Sequence, residues 1–147
     1  MVEFQVIVGD PETGKTHSVE VDGQHANVFV RKRIGEEVDG MFVGLPGYTV
    51  EITGGSDQDG FPMRAEIPQA TRKRILVSDS VGFNPTDDGV RRKKTFRGNE
   101  ISPEITQVNA KIVDRGPEDV ESLLYGEDEE DEEGEAEDET EAEGEEA

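Results

Sequence analysis

The 147-residue chain contains no cysteine, which excludes disulfides, thiolate zinc sites and a cysteine nucleophile. No apolar run approaches the roughly 18 residues needed to span a bilayer, and the N-terminus lacks a secretory signal pattern. A soluble, intracellular protein without a membrane partner is expected. Basic residues are few, 15 against 36 acidic ones, and lysine supplies only six of them. From Glu127 to Ala147 there is no basic residue, and alanine is the only apolar type among 15 acids. Such a run cannot bury enough surface to offset its ordering entropy, so a disordered acidic C-terminal tail is predicted over 127–147. No internal repeat is present.

What remains is one domain by length. Residues 1–126 hold 21 acids and all 15 bases, a net of −6. Within them the positive charge is clustered. Arg64, Arg72, Lys73, Arg74, Arg91, Arg92, Lys93, Lys94 and Arg97 fall in 34 residues opposed by only Glu66, Asp79, Asp87 and Asp88, a net of +5. An acidic protein with a basic sector calls for an anionic partner. Alternating apolar residues predict strands over 2–8, 17–22, 48–53, 73–78, 92–97 and 106–113, separated by Gly, Pro, Asn and Asp clusters. Short strands at this spacing predict a mainly β fold, a small β-barrel-like domain. One short helix is predicted at 26–34, capped by Asn27 and ended by Gly35, and a second over 117–125, opened by Pro117 and stopped by Gly126. The expected organisation is a β-barrel-like body over 1–116, a helical linker over 117–126 and the tail.

Gly9, Gly14, Lys15 and Thr16 satisfy G-x-x-x-x-G-K-[ST], the spelling of a phosphate-cradling loop. That loop works by passing from a strand into a helix N-terminus. Here "THSVEVDG" reads as a second strand, so residues 9–15 are expected to be a hairpin loop. "GGSDQDGFPMRAE" places Asp57, Asp59, Gly60 and Glu66 at calcium-loop positions. Gly55 at position one and Pro62 argue for a polar turn instead. His17 and His25 are eight residues apart with no carboxylate at metalloenzyme spacing, and both are expected at the surface.

The basic runs carry more weight. "RKR" occurs at Arg31, Lys32, Arg33 and again at Arg72, Lys73, Arg74, and "RRKKTFR" spans 91–97. Arginine's bidentate fork and lysine's mobile charge both suit phosphate oxygens. Phe96, inside the last run, has two readings: a ring stacked on an unpaired base, or a core aromatic on the buried face of its strand, the second being favoured.

At "GYTVEITGGSDQDGFPMR", residues 47–64, the chain resembles the archaeal and eukaryotic small-subunit ribosomal protein six family. The family's marker is Gly-Gly-(Asn/Ser)-Asp-x-x-Gly-Phe-Pro-Met-(Lys/Arg), matched here by Gly54, Gly55, Ser56, Asp57, Gly60, Phe61, Pro62, Met63 and Arg64. The "PETG" hairpin, "RKRIGEEV", "RKRILVS", "RRKKTFRG" and "VNAKIVDRG" are similar to successive family segments, so the resemblance covers about residues 1–116. It implies a structural, rRNA-bound constituent of the small (30S) subunit, beside neighbouring ribosomal proteins in the cytoplasm. It implies no catalysis, cofactor, metal or small-molecule substrate. The RNA-binding residues expected are Arg31, Lys32, Arg33, Arg64, Arg72, Lys73, Arg74, Arg91, Arg92, Lys93, Lys94 and Arg97. Eukaryotic members carry a basic C-terminal helix with phosphorylated serines where this chain has its acidic tail, so signalling roles of that helix are not expected here.

A net charge of −21 opposes RNA binding unless salt is high. At about 1 M the Debye length is only ~3 Å, and surplus carboxylate then maintains solubility. A halophilic archaeal source is therefore expected. Two other readings are carried forward: a nucleotide hydrolase using Gly14, Lys15 and Thr16, and a β-barrel adaptor for a protein partner.

Overall fold

A computed structural model describes residues 2–126; the acidic tail predicted over 127–147 lies outside them. The chain divides into two compact units, Met1–Arg115 and the segment from Gly116 onward. The first is mainly β, its larger sheet curled into a half-barrel.

Seven strands build the first unit: β1 (Glu3–Gly9), β2 (Thr16–Asp22), β3 (Glu37–Asp39), β4 (Thr49–Asp57), β5 (Arg72–Val77), β6 (Arg92–Arg97) and β7 (Ile105–Asp114). Five form one sheet in the order β2-β1-β7-β4-β3, and β5 pairs with β6 in a separate two-stranded ribbon. β1 and β7 run parallel, while the other pairs are antiparallel. Alternation explains the sheet's buried face. Phe4, Val6 and Val8 of β1 are fully buried, while Glu3 and Gln5, which alternate with them, are exposed, as a period of two requires.

β4 and β7 break that alternation together. Their register shifts between Thr49 and Val50, between Ile52 and Gly54 and between Ser56 and Asp57. A bulge adds one residue and changes which face the following side chains reach. Val50 and Ile52 point into the core between the first and second shifts, and Asp57 is buried after the third. Gly55 passes so close to β7 that a Cβ there would lie 2.4 Å from the Gln107 carbonyl oxygen. Only glycine fits.

The ribbon has its own apolar cluster of Ile67, Val77, Phe83 and Phe96, with Ile75 and Val90 packed against it. Phe96 is thus a core aromatic, as favoured from the sequence. The predicted hairpin at 9–15 also forms, with β1 and β2 paired from Glu3–Asp22 to Gly9–Thr16.

Three local expectations are corrected. The first helix, α1, runs Gly23–Phe29 with Asp22 as N-cap, not 26–34 with Asn27. The chain turns at the Asp22-Gly23 pair, and Val30 is already extended at φ −63°, ψ 131°. In the second unit the helix occupies 120–126, preceded by bends at 117 and 118. His17 is buried, because it shares the inward phase of Val19 and Val21 on β2.

Candidate nucleic-acid interface

The marker turn is organised around Asp57. Its Oδ1 accepts hydrogen bonds from the Asp59 and Phe61 backbone amides, both at 3.0 Å. Its Oδ2 accepts from Arg72 Nε at 3.0 Å and lies 3.8 Å from Arg97 Nη1. Arg72 and Arg97 stand directly opposite each other on β5 and β6, where like charges repel. The buried carboxylate between them removes that repulsion and ties the ribbon to the end of β4.

Each arginine has a second acid. Arg72 bonds Asp59, and its guanidinium carbon lies 4.9 Å from the Phe61 ring centroid. Asp59 first, and Asp57 after it, hold the Arg72 guanidinium above its usual range against the opposing effect of desolvation. Arg97, with only 5% of its side chain exposed, donates to Glu104 at 2.7 Å and Ser102 at 2.8 Å. The carboxylates a calcium loop would offer a cation therefore face guanidinium groups. Asp57, Asp59 and Glu104 were not singled out from the sequence as an arginine clamp. The available signal was an Asp three residues before a turn glycine, inside a segment otherwise rich in arginine.

The other basic positions are more open. On one face of the ribbon lie Arg74, Leu76 and Lys93; on the other, Lys73, Arg92 and Lys94 flank the apolar cluster. Lys73, Arg74, Arg92, Lys93, Lys94 and the preceding Arg91 are exposed. Among the described residues none of these six forms an ion pair. Lys94 Nζ instead sits 5.6 Å from the Phe83 ring centroid. Exposed Leu76 stands directly opposite Lys93, leaving an amphipathic basic strip.

Arg31, Lys32 and Arg33 join the opposite end of the ribbon. The Arg31 amide donates to the Ile101 carbonyl at 2.8 Å, and the Ile101 amide to the Lys32 carbonyl at 2.8 Å. Arg31 is held at φ 71°, a left-handed conformation disfavoured by its Cβ. Since β6 rises about 3.3 Å per residue, this triplet and Arg91 stand at the two ends of a ribbon roughly 20 Å long. Arg64 is different again, bonded to Glu66 at 3.0 Å and Ser80 at 3.1 Å.

The phosphate-loop spelling acquires no helix. Lys15 precedes β2, and Asp10, buried at the loop's base, accepts from the Glu12 amide at 3.0 Å. Both Asp10 oxygens accept from Arg115 Nη1 at 2.9 Å. The loop thus closes on its own ion pair and leads into a strand, so no helix N-terminus presents amides to a phosphate. Burial pushes the Asp10 carboxyl upward, but the Glu12 amide and the Arg115 and Thr13 side chains outweigh it and hold Asp10 below its ordinary value.

Residues 4–125 match the family model described as ribosomal protein S6e. The chain is 55% identical over 130 residues to the small ribosomal subunit protein eS6 of Natronomonas pharaonis, covering 88% of this chain and 100% of that protein. It is 52% identical to the eS6 protein of Haloarcula marismortui over 129 residues, 88% of this chain and all of the relative. With the eS6 protein of Methanocella arvoryzae it shares 50% identity over 123 residues, covering 84% of this chain and 87% of the relative. The clamped marker turn, the basic ribbon and these matches agree: the chain belongs to the ribosomal protein S6e family.

Proposed function

We propose that the chain is a structural, rRNA-bound constituent of the small ribosomal subunit, acting in cytoplasmic translation without catalysis. The observation that carries this reading is the ribbon whose Lys73, Arg74, Arg91, Arg92, Lys93 and Lys94 are exposed and free of ion pairs among the described residues. On a body of net −6, six such charges on one ribbon suit a polyanion. In this reading residues 1–116 form the RNA-binding body. Arg31, Lys32 and Arg33 extend its contact line, and residues 117–126 link to the acidic tail. Arg72 and Arg97 contribute by holding the ribbon in place, since their guanidinium groups are engaged with Asp57, Asp59 and Glu104.

A halophilic setting completes the proposal, supported by the acid surplus and by eS6 relatives from halophiles. In molar salt the counterion-release contribution shrinks, so binding rests on direct guanidinium–phosphate pairs and shape.

The test is sedimentation of the tagged chain from a high-salt, high-magnesium extract, with and without ribonuclease. Co-sedimentation with small subunits that ribonuclease abolishes is expected. Replacing Arg91, Arg92, Lys93 and Lys94 with alanine should weaken incorporation. Co-sedimentation that survives ribonuclease favours the protein-adaptor reading, and nucleotide binding lost on Lys15→Ala favours the hydrolase.

A further inference from the structure

A groove of about 390 Å³ opens beside the marker turn, lined by Ile34, Thr53, Met63, Arg64, Glu66 and Val81 among others. That volume lies in the range of roughly 300–1,000 Å³ usual for small-ligand sites. The Arg64 guanidinium is fixed in plane by its bonds to Glu66 Oε2 and Ser80 Oγ, and its carbon lies 5.3 Å from the Phe96 ring centroid. Phe96 is fully buried and does not line the groove. The guanidinium therefore lies between the buried Phe96 ring and the groove.

Val81 is held just as firmly. Ser80 and Phe83 exchange backbone hydrogen bonds at 3.2 and 3.0 Å, closing a tight turn through Gly82 at φ 86°. A Cβ on Gly82 would lie 2.7 Å from both Phe96 Cε1 and Pro62 Cγ, so the turn is seated on the core by its glycine. Val81, 73% exposed, is left at the groove as a fixed apolar wall.

We propose that this groove takes an unpaired guanine base of RNA, stacked on the groove side of the Arg64 guanidinium and flanked by Val81. The proposal rests on the RNA-binding reading above and gives Arg64 a task distinct from phosphate pairing. Two of the guanidinium's edges are already engaged, and the Glu66 carboxylate beside it repels phosphate, so a bidentate phosphate fork is not available. A flat cation is a stacking platform for an unstacked base. Guanine is selected by Glu66. Its Oε2 is held by Arg64 Nε, which leaves Oε1 to accept the two adjacent N–H donors of guanine's Watson–Crick edge in one bifurcated bond, a donor pair that adenine and uracil do not offer. The nucleotide has to come from a loop or bulge, because a base in a duplex has both faces covered.

The test uses the full chain in molar potassium chloride and fluorescence anisotropy with a labelled oligouridylate carrying one central guanosine. The same strand with an abasic site at that position should bind about 10-fold more weakly, as expected for loss of one stacked base. A strand with adenosine there should fall between them. Arg64→Lys keeps the charge but loses the plane, so it should bind the guanosine and abasic strands within about twofold of each other, against the tenfold of the unaltered chain. Equal binding of those two strands by the unaltered chain overturns the base site and leaves the ribosomal reading standing. Full discrimination retained in Arg64→Lys also overturns it. If no strand binds, the base site is refuted, and the sedimentation experiment decides the ribosomal reading separately. The comparison between strands needs no variant, so misfolding of Arg64→Lys would not shelter the proposal.

Discussion

Replacing Asp57 tests whether the marker turn is a clamp. Its side chain is fully buried and serves two backbone amides and two guanidinium groups. Breaking a buried ion pair by removing one partner costs about 3–5 kcal/mol. Arg97 would keep Glu104 and Ser102 and Arg72 would keep Asp59, which places that loss at the low end. The two amides lose an acceptor worth roughly 1 kcal/mol between them once water replaces part of it. Asp57→Ala should therefore destabilise the fold by about 4 kcal/mol, a large fraction of the 5–15 kcal/mol of a typical domain. Asp57→Asn keeps an oxygen for the amides but turns an NH₂ toward Arg72, so about half of the loss should return. Urea unfolding followed by circular dichroism reads both. Because the Asp57 carboxylate is buried, the difference should persist in molar potassium chloride, which screens exposed pairs far more. A loss below about 1 kcal/mol for Asp57→Ala would refute the clamp.

Three further outcomes are expected. Gly55→Ala should unfold or severely weaken the β4–β7 pairing, while Gly54→Ala, whose Cβ meets nothing within 4 Å, should leave the melting temperature within a few degrees; similar losses for the two would contradict the close approach. Asp10 is held below its unfolded value of 3.8, so its contribution is complete above that pH and disappears as pH falls through the lower folded value. Arg115→Ala should thus lower the melting temperature at neutral pH and converge with the unaltered chain in strong acid, and a constant difference across pH would contradict the linkage. Removing 127–147 should change RNA affinity little in molar salt; a large loss would show that the acidic segment takes part in binding.

Most strands were legible because β1 and β2 alternate cleanly against a core and β7 does so from Val108 to Ile112. The same alternation held the clue to His17: it stands two residues before Val19 and four before Val21, yet residue type alone suggested solvent. β3 was illegible because three residues carry too little pattern. The bulges in β4 and β7 were hidden for a different reason, since a change of phase is a property of the pair and not of either strand. Within the interface, the basic composition of 72–74 and 91–97 was plain. Which of those charges are spent inside the fold was not. Arg72 and Arg97 differ from Arg74 and Lys93 only in facing Asp57, 15 or more residues away in sequence. Arg64 shows the same limit, because its partners Ser80 and Phe96 come from separate segments.

The parallel pairing of β1 with β7 has a bearing on how this chain is made. During synthesis the first strand emerges with a neighbour, β2, ready on one side only. Its other side stays vacant until about a hundred more residues have been polymerised, because β7 begins at Ile105. Long-range closure of that kind folds slowly and exposes sticky surface on the way. Nascent chains halted before Ile105 should thus hold the β1–β2 hairpin, the β3–β4 pair and the ribbon as separate local pieces, and should be prime clients for holding chaperones.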